Sequence, residues 1–167
     1  TPPEKRAAAR HLAGPITIET LPPRGSNRSF ARLTASAENS AILIRYDASA
    51  RPENRLYADH TRRLERLGLP VPHILHHSPE HHFLLMEDGG REDLTTRMQH
   101  TTPRETLRLY RRILDAVVLL HTTCTRALRR RPIPLEPPFG PELYQWEHQL
   151  FLNEFVTPRK RLTAASK

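Results

Sequence analysis

Ala41-Ile42-Leu43-Ile44-Arg45-Tyr46 decides the fold. Four consecutive apolar residues, two of them β-branched, read as a strand buried on both faces. Working back toward the start, residues 35–40 (Ala-Ser-Ala-Glu-Asn-Ser) are a polar connection, and residues 30–34 are the strand that precedes it. Ile16-Thr17-Ile18-Glu19-Thr20 alternates apolar and polar residues as another strand, with the turn-rich residues 21–29 between the two. Residues 4–13 are rich in Ala and Arg and read as a short helix that Gly14-Pro15 ends. Working forward, residues 53–67 take helical spacing, with Tyr57, His60, Leu64 and Leu67 on one face and Gly68 closing. His73-Ile74-Leu75-His76 and His82-Phe83-Leu84-Leu85-Met86 are two further strands, joined around Ser78-Pro79-Glu80.

Glu87-Asp88-Gly89-Gly90 breaks the pattern, and beyond it the chain turns helical. Thr102-Pro103-Arg104-Glu105 is a capping box with proline at the first helical position. Leu107, Tyr110, Leu114, Val117 and His121 continue an amphipathic helix, with His121 expected in its core face. Residues 132–138 are proline-rich, and residues 141–156 form another helix whose Leu143, Trp146, Leu150 and Phe151 are expected to face inward. The reading is therefore α+β: an antiparallel sheet of about five strands with a helix, followed by an all-helical part. It places one lobe over residues 1–88 and a second over residues 89–167, with a ligand cleft between them.

The chain has 167 residues and a net charge of +8, from 26 Lys+Arg against 18 Asp+Glu. Arginine supplies 23 of the basic residues, which favours anionic partners through planar two-donor contacts. The arginines are spread along the chain, and the run Arg129-Arg130-Arg131 with Arg126 sits at a helix end, where the helix dipole favours cations. Aromatic residues fall on apolar faces, which disfavours a nucleic-acid-binding module. No apolar run reaches the length of a membrane span, and Thr1-Pro2-Pro3-Glu4-Lys5 has no signal-peptide character. With Cys124 alone, an intrachain disulfide is impossible and a small buried thiol is expected; the cytoplasm is the expected compartment. The histidines at 73, 76, 77, 81 and 82 flank a hairpin turn and are expected to be exposed rather than to bind metal. No Walker A, Gly-x-Ser-x-Gly or CxxC pattern is present.

Three segments could carry chemistry. In Gly25-Ser26-Asn27-Arg28-Ser29, small residues leave backbone N–H groups and hydroxyls free to approach phosphate, and Arg28 adds charge. Arg45, near the end of a central strand, is costly there unless it is paired or faces a polar cleft. Glu53 at the start of the next helix could be its partner, as could Asp59. A strand cation paired with a helix carboxylate is how protein kinases hold a nucleotide's phosphates. The third segment, residues 83–90, is a buried strand running into a joint. There a base would dock on the main chain at Met86, Glu87 and Asp88.

The segments at residues 25–32, 41–47, 67–72 and 83–89 resemble, in order and spacing, the aminoglycoside phosphotransferase and choline kinase group. More narrowly, they are similar to bacterial sugar-1-kinases that act on N-acetylmuramate and N-acetylglucosamine. Residues 139–155 resemble the helical insertion those kinases carry ahead of their catalytic loop. The resemblance covers residues 12–156 and implies a protein-kinase-like N-lobe followed by a partial C-lobe. It implies ATP under the first hairpin, Arg45 in place of the usual strand lysine, Glu53 or Asp59 as its partner, and residues 86–89 as the adenine hinge. It also implies Mg²⁺ in the complete enzyme and a sugar or amino-alcohol acceptor, an amino sugar first, with no membrane partner. The family's His-x-Asp-x-x-x-x-Asn loop and its later metal-binding aspartate are absent, so no catalytic and no metal-ligating residue is assigned. The expectation is the front portion of a longer kinase, with a nucleotide-binding pseudokinase as the alternative.

Overall fold

In a computed structural model, the described residues are 2–22, 28–47, 49, 52–135 and 138–157, with the side chains of residues 52 and 53 left aside. Among them, five strands form one antiparallel sheet in the order β1-β2-β3-β5-β4. The strands are β1 (Thr17–Leu21), β2 (Arg28–Ser36), β3 (Asn39–Tyr46), β4 (Ile74–Ser78) and β5 (Phe83–Glu87). As its apolar run requires, β3 is central: it pairs with β2 on one side and β5 on the other.

The sheet's two faces belong to different helices. On the outer face, Ala31, Leu33, Ala41, Leu43, Phe83 and Leu85 pack against Ala7, Ala8 and Leu12 of the α1 segment (α1, Pro3–His11). On the other face, Ile44, Tyr46, Leu84 and Met86 pack with Phe30, Ile42 and Ile74, and with Tyr57 of α2 (Tyr57–Arg66). Phe83, Leu43, Leu84 and Leu85 are the largest fully buried side chains, each worth about 1.5–3 kcal/mol relative to exposure. The core is therefore the sheet itself, coated on both sides.

The helix expected at residues 53–67 is divided. A 3-10 turn (Pro52–Arg55) precedes α2, which ends in a Schellman motif. The Leu69 N–H donates to the Leu64 carbonyl and the Gly68 N–H to the Glu65 carbonyl, and Gly68 takes φ +85°.

After the sheet come a short α3 (Leu94–Met98) and α4 (Pro103–Leu119), which begins with the expected capping box at Thr102 and Glu105. A π turn at Leu120–Cys124 carries α4 directly into α5 (Thr125–Arg130), and Cys124 is buried as expected. Contacts divide the chain into two units, Thr1–Pro134 and Leu135–Lys167, and the second contains α6 (Pro141–Phe151). The sheet, α1 and α2 lie before residue 88 and α3 to α5 after it, all within residues 1–134.

Two expectations about the helices are corrected. Trp146, Leu150 and Phe151 of α6 do not face inward; Trp146 is 60% exposed. His121 is exposed, as are Leu107, Tyr110, Leu114 and Val117 of α4. An amphipathic pattern states which residues share a face. It does not supply a surface to cover that face, and among the described residues none does.

Candidate functional site

Strand alternation assigns the side chains. Arg28, Phe30 and Arg32 of β2 stand opposite Tyr46, Ile44 and Ile42 of β3, and Ile42 stands opposite Met86 of β5. Cross-strand partners share a face, so all of these project to the α2 side. There Phe30, Arg32, Ile42, Ile44 and Met86 roof a cavity of about 480 Å³. Its apolar walls are Phe30, Ile42, Ile44, Tyr57 and Met86, and the segment at residues 87–93 closes one side. The Tyr57 hydroxyl lies 4.0 Å from Met86 Sδ. A flat apolar slot of this size, bordered by main chain that leaves a strand edge, suits a planar heterocycle.

At the end of the slot next to the segment that follows β5, Arg32 meets Asp88. Arg32 Nε donates to Asp88 Oδ2 at 2.6 Å, and Nη2 donates to Asp88 Oδ1 at 3.1 Å and to the Gly90 carbonyl at 2.8 Å. The Ser40 hydroxyl and the Gly90 N–H also donate to Asp88. Both side chains are nearly enclosed, 8% and 7% exposed. The Arg32 bonds, followed by those of Ser40 and Gly90, hold the Asp88 carboxyl below the usual aspartate value.

At the opposite end of the same face stands Arg28. Its Nε donates to Asn54 Oδ1 at 2.6 Å, and its guanidinium lies 5.1 Å from the Tyr57 ring centroid. Asn54 is buried, and its amide donates to the Asp47 carbonyl at 3.1 Å. The side-chain path from Arg32 to Arg28 spans four strand residues, about 13 Å.

The residues singled out from sequence are distributed as follows. Met86, Glu87 and Asp88 line the cavity, and Arg28 stands on the same sheet face beyond its lining. The Asp88 carboxylate accepts from Arg32, and the Glu87 carboxylate accepts from the His73 N–H. Ser29 and Arg45 are cross-strand partners on the outer face. Arg45 is indeed paired with a helix carboxylate, and among the described side chains that carboxylate is Glu4 of α1, at 2.9 Å, rather than Asp59. Its side chain is 50% exposed, and the geometry does not bring it to the cavity. Asp59 is exposed and pairs with Arg62 at 3.6 Å. Glu53 lies in the 3-10 turn with its side chain outside the described residues, and Ser26 and Asn27 lie outside them altogether.

Sequence reasoning missed Arg32, Asn54 and Tyr57. Period two within Arg28-Ser29-Phe30-Ala31-Arg32 puts both arginines and Phe30 on one face, a signal that was available. Of the hairpin histidines expected to be exposed, His73, His81 and His82 are, whereas His76 and His77 are half-buried, His77 with its Nε2 2.9 Å from the Tyr46 hydroxyl; among the described residues no group of three or more His, Cys, Asp or Glu could hold a metal. No helix among the described residues is long and apolar enough to cross a membrane.

A family model described as the phosphotransferase enzyme family (APH) matches residues 17–165. No curated protein and no solved structure matches the chain.

Proposed function

For a chain that belongs to the phosphotransferase enzyme family, we propose that the cavity beneath the sheet holds the base of ATP. On this reading the activity is ATP-dependent phosphorylation of a small-molecule hydroxyl. The observation that carries it is the apolar slot between Phe30, Ile42, Ile44 and Met86, closed by the segment that leaves β5. A base lying there meets main-chain groups at residues 86–88. Its phosphates run along the cleft face toward Arg28, which takes the cation's role that the sequence pointed to in Arg45.

The acceptor class proposed is an amino sugar, supported by the resemblance of residues 25–32 and 83–89 to the sugar-1-kinases. Mg²⁺ is the metal that family membership implies for the transfer. A second reading, a nucleotide-binding pseudokinase, is favoured by the absence of His-x-Asp-x-x-x-x-Asn from these 167 residues.

Photolabelling of the full chain with 8-azido-ATP tests the base site. Peptides containing residues 28–32, 57 and 86–93 should carry the label, and competition by ATP should remove it. Label confined to peptides of α1 or α6 would contradict the placement. Incubating the intact protein with radiolabelled ATP and a panel of amino sugars then separates the two readings: a labelled sugar supports transfer, and binding without a labelled product supports the pseudokinase.

A further inference from the structure

We infer that Arg32 is a positioning residue: with Asp88 it latches the segment after β5 against the sheet, and so sets the shape of the base slot. The inference rests on the nucleotide reading above.

The latch is larger than one ion pair. Beyond Asp88, Arg32 Nη1 lies 3.9 Å from Glu19 Oε2 of β1. Glu19 in turn receives Arg91, whose Nη2 is 2.9 Å and Nη1 3.3 Å from its carboxylate. Asp88, Arg32, Glu19 and Arg91 thus form a chain of alternating charge that leaves the segment at residue 88, crosses β2 and β1, and returns to it at residue 91. Two anchor points three residues apart fix both position and direction. Gly90 lies between them with φ +102°, a conformation L side chains rarely adopt, and both its N–H and its carbonyl are engaged by the pair.

This segment is a partition. Residues 89–93 line the slot beneath the sheet, and they also line a second cavity of about 770 Å³ against Ile113 and Val117 of α4 and Leu120 of the π turn. With open space on both sides, packing does not hold the partition in place. The Arg32 fork and the Arg91 contact do, and of these only Arg32 is shielded from solvent: Arg91 and Glu19 are 65% and 49% exposed. A point charge cannot replace the fork, because the bidentate geometry orients the Asp88 carboxylate and leaves a donor for Gly90.

Arg32→Lys in the full chain tests this, with ATP and inorganic tripolyphosphate as probes and amide hydrogen exchange as an independent readout. Exchange at residues 89–93 of the free protein should accelerate. ATP affinity should fall about tenfold or more, while tripolyphosphate affinity stays within about twofold. Ser40→Ala, which removes one donor to Asp88 and leaves the fork, should give the same pattern with smaller amplitude, and it serves if Arg32→Lys does not fold. Equal losses for both probes would make Arg32 a general stabiliser and overturn the inference. Unchanged exchange at residues 89–93 would overturn it whatever the nucleotide data. If the unmodified chain binds neither probe, the nucleotide reading fails and base positioning fails with it; the exchange measurement still decides whether the latch exists.

Discussion

Arg32 and Arg45 stand on neighbouring strands of one sheet, each paired with a carboxylate, yet they do different work. Arg45 sits on the outer face, half exposed, bonded to Glu4. Arg32 sits on the cleft face, enclosed, with three bonds to residues 88 and 90. Water can replace the Glu4 contact at little cost, so Arg45 is a surface decoration. Nothing replaces Asp88, because an enclosed charge without its partner loses solvation and gains nothing. The outer face is therefore held by apolar packing, and the cleft face by apolar packing together with an ion pair. A cation's strand position says less than the face it takes.

The largest expected effect sharpens the first half of that comparison. Phe83→Ala removes a fully buried ring from the outer core and should cost about 3–5 kcal/mol in chemical denaturation. A loss below about 1 kcal/mol would mean that the α1 face is not a real core. Next, Asp88→Ala strands the Arg32 charge and should cost about 3 kcal/mol, whereas Asp88→Asn, which keeps acceptor geometry on one oxygen, should cost less.

Acid should act in the same direction as Asp88→Asn. The folded Asp88 pKa lies below its ordinary value of 3.8, so the unfolded chain takes up the proton first. The pair's contribution is complete above that value and is lost as pH falls toward the lower folded one. In Arg32→Lys the acid loss should shrink, as read from the pH dependence of the denaturation midpoint. The smallest effect should come from Arg45→Ala, under about 1 kcal/mol and reduced further by salt. A cost there equal to that of Asp88→Ala would erase the distinction between the faces.

Much of this was legible in the chain. The apolar run at residues 41–44 announced a central strand, Thr102 and Glu105 announced a helix start, and the change from Met86 to Gly90 announced the joint. The same apolar run hid what mattered for Arg45. When four consecutive residues are apolar, the phase of the two-residue alternation cannot be read from them, and phase alone decides which face the next residue takes. Phase was readable one strand earlier, where Arg28, Phe30 and Arg32 alternate with Ser29 and Ala31. The partner of Arg32 was not readable: Asp88 lies 56 residues away, and only the pairing of β3 with β5 brings it near. The exposed aromatic face of α6 was likewise beyond reach, since periodicity carries no information about what covers a helix.

Calorimetric titration of ATP into the unmodified chain, Arg28→Ala and Arg45→Ala tests the central claim most directly. The account predicts that Arg28→Ala weakens ATP about tenfold, the worth of one charge-assisted contact, while Arg45→Ala stays within about twofold of the parent. Loss of binding in Arg45→Ala with Arg28→Ala unchanged would place the phosphates on the outer face and contradict it.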